Sequence, residues 1–136
     1  MRFLIIVYAT TESEAGALPA ASLSARMAGY HEELARAGAL LDASGLAPTS
    51  AGWRIRYDDA GRSVIPGPFS ADGRLVAGYT LIQARSREEA LEWTRRFPNP
   101  RGEGRAAEIE VRPLYDIDGL PPPDAVERPR APDVDG

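Results

Sequence analysis

Val64-Ile65-Pro66-Gly67-Pro68-Phe69 runs through the polar turn Ser70-Ala71-Asp72-Gly73-Arg74 into Leu75-Val76-Ala77-Gly78-Tyr79-Thr80-Leu81-Ile82-Gln83 and, after Ala84-Arg85, into Ser86-Arg87-Glu88-Glu89-Ala90-Leu91-Glu92-Trp93. Proline fixes its own φ and biases the residue before it towards extended backbone, so Gly67-Pro68 is a sharp bend. Leu75 to Gln83 is apolar on both faces of a strand, and such a strand needs cover on both sides. Ser86 followed three residues later by Glu89 is a capping box, in which hydroxyl and carboxylate each satisfy a backbone donor of the first helical turn. Ala90, Trp93 and Phe97 then share one helical face, and Pro98 stops the helix.

Working outward from this strand and helix, a matching pair lies upstream. Phe3 to Tyr8 is continuously apolar, with Phe3, Ile5 and Val7 on one face and Leu4, Ile6 and Tyr8 on the other. Ala9 to Ala20 is small and polar and reads as a loop. From about Ser22, the spacing of Met27, Tyr30, Leu34 and Ala37 lays down one apolar stripe, and Gly38 is placed to end that helix in the left-handed cap conformation. Leu40 and Leu41 begin a short strand broken by Gly45 and Pro48. Trp53-Arg54-Ile55-Arg56-Tyr57, the turn Asp58-Asp59-Ala60-Gly61 and Arg62-Ser63-Val64-Ile65 form a hairpin. Ala107 to Leu114 alternates, with Ile109 and Val111 inward and Glu108, Glu110 and Arg112 opposite. The element order is an α+β, ferredoxin-like βαββαβ pattern with an inserted β-hairpin. Its helices cover one face of the sheet only, so a second copy meeting the other face is the simplest cover: a homodimer forming a dimeric α/β-barrel.

The 136 residues fit one domain, taken as 1–120, followed at 121–136 by a Pro-rich tail that lacks the apolar content to offset ordering and is expected to be mobile. With no cysteine, disulfides, thiolate zinc sites and thiol nucleophiles are excluded. The apolar start is too short for a membrane span and has no signal-peptide pattern, so a cytoplasmic location without membrane attachment is expected. A net charge of −4 disfavours phosphate backbones, and nucleic acid is not an expected partner. A single histidine and no clustered carboxylates argue against a metal site, and no cofactor is called for. Asp116 and Asp118 read as a solvated loop.

The stretch from Gly67-Pro68-Phe69 to Trp93 resembles the DGPF branch of the YCII-related proteins, whose signature is Asp-Gly-Pro-Phe, a polar turn, an apolar strand with an internal Gly, and a Ser-initiated helix with Glu-Ala and Trp. The resemblance takes in Tyr30-His31-Glu32-Glu33-Leu34, Ala37-Gly38, Gly45-Leu46-Ala47-Pro48, Pro98-Asn99-Pro100 and Glu108 to Arg112, and spans roughly residues 1 to 120. It implies a bacterial protein with a dimeric α/β-barrel fold. This chain departs from the signature: Pro66 stands where the Asp is expected, and Ser70-Ala71-Asp72-Gly73-Arg74 replaces the usual Ala-Glu-Thr-Lys-Glu. Roles attached to that acid and that lysine do not transfer. The His of the His-Asp pair used in the wider family falls near Met27, not His31.

His31 is the only side chain whose ordinary pKa lies near neutrality, and it is a candidate base if Asp72 or Glu110 reaches it; a hydrogen-bonded surface histidine is the competing reading. Asp72 is the other catalytic candidate. The Gly-Pro bend presents Phe69, Asp72 and Arg74 for ligand contact, although Gly-Pro shaping a turn and Phe69 filling the core would account for the same residues. Arg54 and Arg112, like Arg56 on polar strand faces, suit a carboxylate or phosphate, or water alone. Tyr8 and Tyr79 each bring an aromatic body and a hydroxyl. Gly78 marks a bulge or a close approach by backbone or ligand.

Three functional expectations follow. One is a small-molecule pocket in each subunit of a dimer, lined by Tyr8, His31, Tyr79 and the Phe69 to Arg74 turn, with Arg54 or Arg112 orienting an anion. Another is a non-catalytic regulatory or interaction module tied to sigma-factor and stress responses, which the resemblance implies because members of the branch are often encoded beside such factors. The last is a metal-free enzyme doing proton-transfer chemistry, with His31 or Asp72 as base. No residue set in the sequence forms a recognisable catalytic motif.

Overall fold

The computed structural model describes residues 1–71 and 74–115. Asp72, the Asp116 and Asp118 loop, and the tail at 121–136 lie outside the described residues. Among the described residues, six strands and three α-helices follow in the order β1 (Arg2–Tyr8), α1 (Thr11–Glu14), α2 (Ala21–Arg36), β2 (Leu40–Gly45), β3 (Trp53–Asp58), β4 (Gly61–Pro66), β5 (Val76–Gln83), α3 (Arg87–Arg95) and β6 (Ile109–Pro113), with a 3-10 turn at Thr49–Ala51.

Each helix ends as its local chemistry dictates. Gly38 adopts φ +73°, its N–H reaches the Ala35 carbonyl and the Ala39 N–H reaches that of Leu34, so a left-handed glycine closes the last turn of α2. At the start of α3 the Ser86 hydroxyl accepts from the Glu89 N–H at 3.0 Å, as the capping pattern predicts. The Glu89 carboxylate, however, accepts from the N–H of Arg85 at 2.6 Å, one residue before the cap. The Ala9 to Ala20 segment is not loop throughout. Thr10 and Ser13 exchange side-chain to backbone hydrogen bonds at 2.8 and 3.0 Å, which holds the single turn α1 without any apolar stripe.

The main sheet is four-stranded and antiparallel, in the order β2-β5-β1-β6, which is the ferredoxin-like arrangement of strands. Phe3 and Ile5 of β1, with Thr80 and Ile82 of β5, face the helices and are buried against Tyr30 and Leu34 of α2, and Ala90 and Phe97 complete this core. Tyr30 stands edge-on to Trp93 and Phe97, and its hydroxyl donates to the Trp93 carbonyl at 2.7 Å, which joins α2 to α3. Burial pushes the Tyr30 phenol up to about 12, so it stays protonated. On the other face the register sets Leu4 against Leu81 and Ile6 against Tyr79. These side chains are only half-buried and are not part of the helix-side core.

β3 and β4 form their own two-stranded sheet. Its register puts Trp53, Ile55, Tyr57 and Val64 on one face, where Trp53, Tyr57 and Val64 are 66%, 65% and 64% exposed. The base of this arm is closed by the Gly67 N–H donating to the Gly52 carbonyl at 2.9 Å. Here the bend at Gly67-Pro68, a cis peptide, presses on the 3-10 turn: a Cβ at position 67 would stand 1.8 Å from the Thr49 carbonyl oxygen. Thr49 in turn donates from its hydroxyl and its N–H to the Glu14 carboxylate, at 2.6 and 3.1 Å, while the same hydroxyl accepts from the Phe69 N–H at 3.0 Å. One threonine thus ties α1, the 3-10 turn and the Gly-Pro bend together.

Gly67→Ala is therefore expected to cost about 3 kcal/mol or more, because a backbone carbonyl cannot yield to the new methyl as a side chain would. Tyr30→Phe, which removes only the hydrogen bond to Trp93, is expected to cost about 1 kcal/mol. Urea unfolding followed by far-UV circular dichroism measures both, and a Gly67→Ala protein as stable as the parent would contradict the crowding at that position.

Candidate functional site

Where β1 ends, the chain leaves an open cleft of about 920 Å3. Tyr8 from β1, α1 with its capping Thr10, Pro68 and Phe69 from the bend, Arg74 before β5, and the segment leading into β6 form its walls. The volume lies within the range of small-molecule pockets. The Thr49 tie explains how the walls are held, since it fixes α1 on one side and Phe69 on the other.

Of the sequence-predicted ligand residues, Tyr8, Phe69 and Arg74 meet in this cleft. The Arg74 guanidinium lies 4.7 Å from the centre of the Tyr8 ring and pairs with Glu108 at 3.0 Å. Both members of that pair are more than half exposed, so its net worth is small and a ligand carboxylate or phosphate can take the place of Glu108. The Tyr8 hydroxyl donates to Glu110, whose other carboxylate oxygen accepts from Arg112 at 3.2 Å. Arg112 is thus connected to the cleft through Glu110 and does not line it. Arg54 stacks its guanidinium 3.9 Å from the Phe69 ring centre and buttresses that ring.

His31 and Tyr79 belong elsewhere. They line a second, smaller hollow of about 370 Å3 among α2, β1, β2, β5 and Phe97. His31 Nε2 is 2.9 Å from the Thr80 hydroxyl, so its partner is Thr80; Glu110 is bonded to Tyr8 instead. Burial lowers the His31 pKa from its ordinary value, which favours the neutral ring. The Tyr79 hydroxyl donates to Asp42 at 2.9 Å, and this bond to a carboxylate raises its pKa. The single pocket expected around Tyr8, His31 and Tyr79 is therefore divided in two. Gly78 answers to a close approach of backbone: a Cβ there would meet the Ser44 carbonyl oxygen at 3.1 Å.

Sequence reading did not single out Arg101, Thr10 or Glu12 on the cleft wall. The Thr10 to Ser13 spacing was the available signal for α1, but a serine at the fourth position is a less familiar capping partner than Glu or Gln. Among the described residues no group of three or more His, Cys, Asp or Glu side chains is placed to hold a metal ion. No helix among them is long and apolar enough to cross a membrane.

The strand order, the two covering helices and a cleft beside the central strand define an α+β domain of ferredoxin-like fold. The chain belongs to the YCII-related domain family, whose model matches residues 1–115. No curated protein matches it.

The lowered His31 pKa has a definite sign in stability. The unfolded chain takes up a proton near the ordinary histidine value of about 6.5 while the folded chain resists, so stability falls as pH drops through that value towards the folded pKa. In urea titrations between about pH 7 and 5.5, His31→Gln is expected to lose this part of the decline. Equal slopes in the two proteins would show that His31 is not desolvated.

Proposed function

We propose that the protein is a cytoplasmic homodimer of the DGPF type that binds a small anionic molecule in the large cleft of each subunit, without a catalytic step. The convergence of Tyr8, Phe69 and Arg74 on one cleft of about 920 Å3 carries this reading. Phe69 and Tyr8 supply aromatic surface, and Arg74 supplies a charge whose exposed pairing with Glu108 is readily exchanged. Arg101, on the same wall, adds a second cation.

Dimerisation is supported by the half-buried apolar residues on the face of the main sheet opposite the core. Leu4, Ile6 and Leu81 lie there between the polar groups of Asp42, Glu110 and Arg112, an apolar centre with a polar rim. Burying such side chains is worth about 1.5 to 3 kcal/mol each before the entropy of association is subtracted. A second reading, a non-catalytic interaction module of the stress-linked kind, is favoured by the exposed Trp53, Tyr57 and Val64 of the arm.

A thermal-shift screen of small carboxylates and phosphate esters tests the binding reading. A bound member raises the melting temperature in a concentration-dependent way, and Arg74→Ala is expected to weaken it roughly tenfold or more, the loss of a charge-assisted hydrogen bond. A screen without any stabilising anion, or a shift that survives Arg74→Ala, sinks it. For the assembly, sedimentation is expected to give a dimer for the parent and a monomer for Ile6→Glu at micromolar concentration. A monomeric parent overturns the dimer and leaves the cleft to be judged by the screen alone.

A further inference from the structure

The smaller hollow has a chemistry of its own. Val7, Met27 and Phe97 give it apolar walls, and none of the side chains lining it is an Arg, Lys, Asp or Glu. The large cleft, in contrast, is edged by Glu12, Arg74, Arg101 and Glu108. Gly78 adds no side chain to this lining, and a Cβ there would press on the Ser44 carbonyl oxygen of the neighbouring strand at 3.1 Å.

On these apolar walls His31 and Thr80 form a fixed polar pair. Thr80 is 2% exposed, and a buried hydroxyl requires a partner, which His31 Nε2 provides at 2.9 Å. That bond orients the imidazole and leaves Nδ1 without a hydrogen-bond partner among the described residues. A neutral ring bonded through Nε2 presents Nδ1 as a donor when the threonine hydroxyl donates, and as an acceptor when the ring does. Since the threonine hydroxyl rotates, the pair adapts to either kind of ligand group. Burial lowers the His31 pKa, consistent with a ring that faces its occupant uncharged.

We propose that this hollow is a second binding site, for a small, uncharged and largely apolar molecule bearing one hydroxyl or carbonyl group, anchored on His31 and packed against Met27 and Phe97. A charged ligand is excluded because it would leave water for walls that offer no counter-ion. The inference does not depend on the reading of the large cleft, which uses other residues and opposite chemistry.

The two methionines make the test direct, since Met27 lines the hollow while Met1, 54% exposed, is absent from its lining and serves as an internal control. The full chain, labelled at its methionine methyl groups, is titrated with 4-methylphenol, toluene and 4-methylbenzoate and followed by NMR. A saturable shift of the Met27 signal with 4-methylphenol is expected, the Met1 signal staying in place. Toluene and 4-methylbenzoate are each expected to bind roughly tenfold more weakly, as is 4-methylphenol to His31→Leu, one hydrogen bond being at stake. Arg74→Ala is expected to leave 4-methylphenol binding unchanged, which separates this site from the large cleft. A Met27 signal that does not move up to the solubility limit of 4-methylphenol overturns the proposal, as does 4-methylbenzoate binding as tightly. Should His31→Leu fail to fold, the comparison of 4-methylphenol with toluene on the parent protein decides alone, equal affinities removing His31 as anchor.

Discussion

Ile5, Leu34 and Ile82, all fully shut off from solvent, are where the central strands of the sheet meet the long helix, and the remaining architecture is arranged around that contact. Antiparallel pairing of β1 with β5 puts Ile5 opposite Thr80 and Ile82 opposite Phe3, so the same two strands supply the floor of the core. Alternation along a strand then commits Leu4, Ile6 and Leu81 to the opposite face. Filling one side of the sheet with α2 and α3 and exposing an apolar strip on the other are one event. A polar outer face would have required a different pattern in β1.

The same packing separates two hollows of unlike chemistry. At the end of β1, where the core stops, α1 and the Gly67-Pro68 bend enclose a cleft edged by charges of both signs. Between α2 and the sheet, Val7, Met27 and Phe97 give apolar walls, and the polar side chains are the uncharged His31, Ser44, Tyr79 and Thr80. Thr49 ties the walls of the first together, because its hydroxyl and N–H bond to Glu14, the same hydroxyl accepts from Phe69, and its carbonyl accepts from Gly52. His31 gives the second its polar anchor, being held by a buried hydroxyl and not by an acid.

Much of the fold was legible because it rests on periodicity. The strand at Phe3 to Tyr8, the stripe through Met27, Tyr30 and Leu34, the cap at Ser86 and the hairpin around Asp58 to Gly61 all carry a local pattern, and each lies within one residue or so of the expected place. The site was less legible. Tyr8 and His31 are near neighbours of the core in sequence terms, yet strand alternation sends Tyr8 to one side and helix phase sends His31 to the other, and no local pattern reports that they part. The stacking of Arg54 on Phe69 is not legible in the sequence, because Phe69 lies fifteen positions along the chain and strand alternation does not report it. Gly67-Pro68 announces a bend in the sequence itself, but the Thr49 carbonyl that makes glycine obligatory there is a tertiary fact.

The hairpin arm bonds strand to strand only within itself, Gly52 with Gly67 closes its base, and Arg54 reaches out of it to Phe69 of the bend. Its tip, where Asp59 and Ala60 link two exposed strands, bears no part of the core. Lengthening, shortening or re-facing that tip leaves the cleft walls and the helix packing untouched. The arm is thus a region in which surface chemistry can drift quickly while the body beneath it stays constrained, so divergence among sequences of this architecture should concentrate there.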